Sequence, residues 1–146
     1  MKAQNIFLAG VGGQGILLAG EILCIVFMEA GLDVKKSEVH GMAQRGGSVT
    51  SHVRCGRKVF SPLIPEGQAD VLMGFEALEA LRWVDFLKKD GVLLVNRQKI
   101  NPTTVTSGRV QYPTRIYDAL KKRHPKTRIV VGLKLARKAG DIRTVN

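Results

Sequence analysis

With 146 residues, 45% of them hydrophobic and 24% charged, the chain reads as one soluble globular domain able to bury roughly 70% of its unfolded surface without cross-links. Its two cysteines, Cys24 in an apolar helical stretch and Cys55, exclude a disulfide framework or a four-thiolate centre and point to a reducing, cytoplasmic setting. The net charge of +11 is uneven: from Arg109 onward 11 basic residues stand against Asp118 and Asp141, a balance of +9, yet only Tyr112 and Tyr117 are there to stack on bases, so no nucleic-acid partner is expected.

Asn5 to Ala9 reads as a short buried strand, followed by the loop Gly10-Val11-Gly12-Gly13-Gln14-Gly15 and a helix over Gly15 to Ala30. That helix carries Ile16, Leu17, Leu18, Ile22, Leu23, Ile25, Val26, Phe27 and Met28, too many apolar residues for one stripe. Deep burial or a partner subunit must cover the surplus, the partner being preferred. With Glu21 and Glu29 the run also falls short of the about 20 apolar residues a bilayer span requires, and no signal-peptide pattern is present. Gly31 stops the helix, Val34 to Val39 makes a second strand, and the loop His40 to Gly47 leads into Ser48 to Arg54, whose alternation suggests a half-exposed strand turning through Gly56-Arg57-Lys58 into a hairpin with Val59-Phe60.

Beyond Pro62 and Pro65 lies a strand over Ala69 to Gly74, then a helix over Phe75 to Lys89, with Glu79, Arg82, Asp85 and Lys88 on its polar side and Asp90-Gly91 as its stop. Val92 to Val95, a short Val110 to Tyr112 and Arg128 to Val131 read as strands; Ile116 to His124 and Leu133 to Ala139 read as helices. Strands alternating with helices predict an α/β, Rossmann-like three-layer domain with a mostly parallel sheet and an antiparallel hairpin addition.

Two loops carry candidate binding residues. Gly10, Gly12 and Gly15 fit G-x-G-x-x-G between a strand and a helix, the context in which backbone N–H groups and a helix dipole meet an anion. A dinucleotide site then needs an acid about 20 residues on to hold the ribose, and Glu38 is the only candidate by position. An independent NAD-dependent oxidoreductase is the alternative this turn supports; retention of the turn for the fold or for another ligand is preferred. In the second loop Arg45 can clamp a carboxylate or phosphate, Gly46 and Gly47 allow close approach to the backbone, and His40 can pass a proton, though no carboxylate or nucleophile is fixed beside it. On composition alone a plain surface loop is slightly favoured. His52, on a strand face, and His124, at a basic helix end, do not suggest metal ligands.

Taken together, Gly10 to Gly15, the run Glu38-Val39-His40-Gly41-Met42-Ala43-Gln44-Arg45-Gly46-Gly47-Ser48-Val49, Ser61-Pro62-Leu63-Ile64-Pro65 and Ala69-Asp70-Val71-Leu72-Met73-Gly74-Phe75-Glu76 resemble the gamma-type domain of 2-oxoacid:ferredoxin oxidoreductases. The His-Gly-Met-Ala-Gln-Arg-Gly-Gly form is nearest to the branch of indolepyruvate ferredoxin oxidoreductase beta subunits. The resemblance implies an accessory subunit, inactive alone, of an oxidoreductase that acts on an oxo group with an iron-sulfur protein as acceptor. In such enzymes a large catalytic subunit carries thiamine diphosphate, Mg and iron-sulfur clusters, decarboxylates a 2-oxoacid, here an aryl pyruvate, forms an acyl-CoA and reduces ferredoxin. It further implies that Gly10, Gly12, Gly13, Gln14, Gly15, His40, Gln44, Arg45, Gly46, Gly47 and Ser48 form a ligand or interface edge that contacts CoA or the substrate carboxylate, with no catalytic residue or metal on this chain. Residues 1–146 would be a single such domain lacking the further C-terminal apolar helix of its relatives.

Overall fold

The computed structural model describes residues 3–40, 46–101, 103–106, 108 and 111–141. Among them the elements run β1 (Gln4–Val11), α1 (Ile16–Glu29), β2 (Asp33–His40), β3 (Ser48–Gly56), β4 (Ala69–Gly74), α2 (Ala77–Arg82), a 3-10 turn (Val84–Phe86), β5 (Leu87–Asn96), α3 (Thr103–Thr106), α4 (Ile116–Arg123), β6 (Thr127–Val130) and α5 (Gly132–Lys138). The six strands form one sheet in the order β2-β3-β1-β4-β5-β6. β1, β4, β5 and β6 pair in parallel, and β3 pairs antiparallel with both β1 and β2. The mostly parallel α/β sheet is thus present.

Two expected details differ. Ser48 to Gly56 forms its hairpin with β2, not with Val59-Phe60, and it lies between β2 and β1. Because a neighbour flanks it on each side and layers cover both faces, β3 is buried along most of its length, Thr50, Ser51 and His52 included; its alternating polarity does not mean half exposure. The helix expected over Phe75 to Lys89 spans only Ala77–Arg82 before the 3-10 turn, and Leu87 to Gly91 open β5. Gly91 is not a helix stop. A Cβ there would lie 2.6 Å from Leu87 Cδ1 and 3.1 Å from the Ala69 carbonyl oxygen, so glycine permits the tight approach of β5 to β4 where their register shifts. Of the strand expected at Val110 to Tyr112, residue 110 lies outside the described residues, and Gln111 and Tyr112 are irregular.

Side chains alternate across β1. Phe7 and Ala9 enter a core with Leu72, Leu93 and Val95 under α2 and α4, while Ile6 and Leu8 join Ile16, Val49 and Val53 under α1. The α1 side is incompletely covered. Leu18, Ile22, Ile25, Val26 and Met28 of α1 and Leu133 and Leu135 of α5 are exposed, as the excess of apolar residues predicts. Between α1, packed over β1 to β3, and α5, beside β6, an apolar groove of about 400 Å³ is lined by Ala19, Ile22, Leu23, Met73, Leu94 and Leu135.

Candidate functional site at the carboxyl edge of the sheet

The first chain crossover from β1 runs towards β2 and that from β4 runs towards β5, so the crevice between the carboxyl ends of β1 and β4 is the switch point at which α/β sheets place ligands. The first loop opens onto this crevice, and the described end of the second, Gly46 to Ser48, meets it on the β3 flank of β1. Ser48, the first residue of β3, pairs with Val11, the last of β1, and the Gly12 amide donates to the Gly47 carbonyl at 2.9 Å. The turn is built from left-handed positions, Gly13 at φ 99 and Gly15 at φ 71, with Gly46 at φ 74 on the opposite loop. A Cβ on Gly13 or Gly46 would meet no atom within 4 Å, so glycine is needed at these two positions for backbone conformation. Gly15 caps α1 without a side-chain hydrogen bond, leaving the first amides of the helix to be satisfied from outside.

Gln14 closes the crevice from within. Its Oε1 accepts from the Val11 amide at 2.7 Å, and its Nε2 donates to the Phe75 carbonyl at 2.9 Å and to Gln98 Oε1 at 3.0 Å. A chain of amides continues from it: Asn96 Nδ2 donates to Gln98 Oε1, and Asn96 Oδ1 accepts from the Gly132 amide that opens α5. The ends of β1, β4 and β5 and the start of α5 are therefore tied through three side-chain amides. Gly10 is packed rather than open, since a Cβ there would lie 2.8 Å from both Gln14 Oε1 and Ile16 Cδ1 and 2.9 Å from Phe75 Cβ.

Below this edge α2 and the residue that caps it contribute two buried carboxylates. Glu76, 1% exposed, caps the helix by accepting from the Glu79 amide at 2.9 Å, and also accepts from the Tyr112 hydroxyl. Burial and this carboxylate push the Tyr112 phenol well above its ordinary range. Glu79 is 3% exposed, although helical periodicity puts it on the polar side. It accepts from the Ser48 hydroxyl and the Trp83 indole. Glu79, Gln98 and Asn96 are the residues of this edge that the sequence reading misses. One signal was present, because Glu76 and Glu79 have the spacing of a helix N-cap and its third residue.

Of the predicted site residues, Gly10, Gly12, Gly13, Gln14, Gly15, Gly46, Gly47 and Ser48 come together at this edge. His40 closes β2 opposite Val49; its side chain, and Gln44 and Arg45, lie outside the described residues. Glu38 does not approach the turn as a ribose acid would. β3 separates its strand from β1, about 10 Å at two strand spacings, and Lys36 Nζ engages it at 2.7 Å. The dinucleotide reading is not favoured. His52 is a core residue: its Nδ1 accepts from the Ile64 amide at 3.1 Å, it packs edge-on to Phe7, and burial lowers its pKa. Among the described residues no group of three or more His, Cys, Asp or Glu side chains is disposed to hold a metal ion, and no helix is long and apolar enough to cross a membrane.

A family model described as pyruvate ferredoxin/flavodoxin oxidoreductase matches residues 5–146. The chain belongs to this family. Among its relatives, the indolepyruvate oxidoreductase subunit IorB of Thermococcus kodakarensis is 44% identical over 151 residues, covering 100% of this chain and 74% of the relative. The subunit of the same name from Archaeoglobus fulgidus is 46% identical over 144 residues, covering 97% of this chain and 71% of the relative. These relatives of the oxidoreductase family are subunits of multi-subunit enzymes, and the chain spans about three quarters of their length. The fold recurs in the gamma subunit of a keto/oxoacid ferredoxin oxidoreductase from Geobacter sulfurreducens, with a TM-score of 0.67 at 23% identity over 99% of this chain and 71% of that one. It recurs also in 2-oxoglutarate:ferredoxin oxidoreductase from Magnetococcus marinus, with a TM-score of 0.67 at 18% identity over 99% of this chain and 23% of that one.

Proposed function

We propose that this chain is the accessory subunit of a cytoplasmic 2-oxoacid:ferredoxin oxidoreductase acting on aryl pyruvates, indolepyruvate foremost. The observation that carries the reading is the 44% identity along the whole chain to a subunit of indolepyruvate oxidoreductase. A large catalytic subunit supplies thiamine diphosphate, Mg and the iron-sulfur clusters, whose combined chemistry is oxidative decarboxylation of the 2-oxoacid to an acyl-CoA with ferredoxin as electron acceptor. The donor set of this chain does not fit an iron-sulfur cluster: its thiols are Cys24, half-buried on α1, and Cys55, buried in β3, and a cluster takes four cysteine ligands.

In this reading the chain's own contribution is the edge formed by Gly12 to Gly15 and Gly46 to Ser48, with His40, Gln44 and Arg45 on the same loop. The edge faces the partner's reaction site, where open backbone amides and the Arg45 guanidinium hold an anionic group of CoA or the substrate carboxylate. The helix terminus at Gly15 adds about 0.3–1 kcal/mol to an exposed anion and up to roughly 2 when partly buried, so the partner provides most of the affinity. We also propose that the single gamma-type domain is completed by one further apolar helix from the part of its relatives' length that the chain does not span. The groove between α1 and α5 supports this, since its floor is β4 and β5 and the gap from β1, under α1, to β6, beside α5, is three strand spacings, about 14 Å, while one helix is about 10–12 Å across.

Co-expression with a large oxidoreductase subunit tests the assignment. A stable complex that reduces ferredoxin with indolepyruvate in a CoA-dependent reaction is expected. Turnover by the isolated chain, or no complex with any large subunit of this enzyme class, would overturn it.

A further inference from the structure

The proposed reaction assigns nothing to the buried cluster beneath the two loops. Glu76 already satisfies the start of α2 through the Glu79 amide. In a reciprocal capping arrangement the Glu79 side chain would turn back to the amide of the capping residue; instead it points to β3. The Ser48 hydroxyl donates to Glu79 Oε2. Trp83 Nε1 donates to Ser48 Oγ at 3.1 Å and to Glu79 Oε2 at 3.3 Å, and Arg82 lies 3.4 Å from Oε1.

This cluster acts at the start of β3, whose two faces are both buried. Polar Thr50, Ser51 and His52 lie in the interior beside Val49 and Val53, so the contrast between an apolar buried face and a polar solvent face that guards a half-exposed strand against a one-residue slip is missing here. A slip would bring Val49 in place of Ser48 over the carboxylate, leaving it without that donor, and a buried charge must be hydrogen-bonded. Correct register in turn sets Ser48 opposite Val11 and the Gly47 carbonyl opposite the Gly12 amide.

We propose that Glu79 is a positioning residue: by latching the Ser48 hydroxyl it fixes the start of β3 and thereby holds the Gly12 to Gly15 turn in the conformation presented to the partner subunit. That presentation rests on the function proposed above; the latch itself does not. Trp83 is the third member, setting the rotamer of Ser48 so that its hydroxyl proton points to the carboxylate.

Hydrogen exchange at the Gly12 amide, followed by NMR in the full chain, tests the latch. Glu79→Ala and Ser48→Ala, each of which removes one end of the latch, are expected to speed exchange at Gly12 at least tenfold, while Ser48→Thr, which keeps the hydroxyl, and Glu79→Gln, which keeps an acceptor oxygen, hold protection to within about threefold of the wild type. Protection unchanged in either Glu79→Ala or Ser48→Ala would overturn the proposal, as would equal loss in Ser48→Thr and Ser48→Ala. In the complex with the large subunit, Glu79→Ala should raise the KM for CoA or indolepyruvate at least fivefold with kcat within twofold. An unchanged KM beside lost Gly12 protection would refute presentation of the turn to the reaction. A wild-type complex without turnover would instead refute the proposed function and leave the exchange result to decide the latch.

Discussion

Gln14 bridges the Val11 amide and the Phe75 carbonyl, at 2.7 and 2.9 Å, across the carboxyl ends of β1 and β4. The side chain is 7% exposed, so removing it strands a buried N–H and a carbonyl that water does not readily reach. Leaving such groups unpaired costs about 1–3 kcal/mol. Gln14→Ala should therefore lower stability by about that amount, and Gln14→Glu should be no better, since it sets a carboxylate oxygen against the Phe75 carbonyl and Gln98 Oε1. Urea unfolding of the full chain checks both. An undiminished midpoint in Gln14→Ala would mean that the turn does not depend on this bridge.

Gly74 ends β4 directly under α2. A Cβ added there would lie 2.4 Å from Ala80 Cβ and 3.1 Å from Ala80 Cα, and neither atom belongs to a flexible side chain that can swing away. Overpacking of this kind costs typically about 1–3 kcal/mol, and Gly74→Ala should reach at least the upper half of that range because the helix itself must move. The displaced helix carries Glu76 and Glu79, so the Trp83 fluorescence spectrum should shift in the same variant. Thermal unfolding and emission spectra measured together would show whether the two effects coincide.

The elements legible from sequence were those with a local cause. Gly15 opens α1 and Gly31 follows it, and both lie where turn chemistry puts them. The apolar excess of α1 does correspond to exposed Leu18, Ile25 and Met28. Non-local pairing was not legible: nothing in Ser48 to Gly56 announces that it inserts between β2 and β1, because a strand's neighbours are chosen by the whole sheet. The same gap hid Glu79, whose polarity suits a solvated face until Ser48 and Trp83, distant or across the turn, are brought against it. Motif spacing located the glycine turn, whereas the amide chain Gln14–Gln98–Asn96 joins residues from separate loops and has no spacing to read.

His52 links stability to pH. Its Nδ1 accepts from the Ile64 amide, so in the native state the ring is neutral with its proton on Nε2, and burial depresses its pKa. Below the unfolded value of about 6.5 the unfolded chain binds a proton that the native chain resists. The His52 contribution is thus fully present above about pH 6.5 and declines as pH falls from there towards the native pKa. His52→Asn, whose Oδ1 can replace Nδ1 as acceptor, should be less stable at neutral pH through lost packing on Phe7 and Phe86, yet should show a shallower loss between pH 7 and 5. Urea unfolding at several pH values measures the slope, with His124, whose pKa is also lowered, unchanged in both proteins. Parallel slopes would rule His52 out as the source.

The groove between α1 and α5 makes the last prediction. Ile22 and Leu135 line it and are 50% and 56% exposed, so each contributes little to the fold of the present chain. Surface substitutions of this kind usually change stability by no more than about 0.5 kcal/mol. The pair Ile22→Lys and Leu135→Lys should leave the unfolding midpoint nearly unchanged and sharply reduce binding of a hydrophobic dye, because the apolar patch is then broken by two charges. In a chain extended by the additional segment of its relatives, the same pair should instead destabilise strongly, since the lysines would be buried against the added helix. Equal effects in the two lengths of chain would mean that the groove is not where the added segment lies.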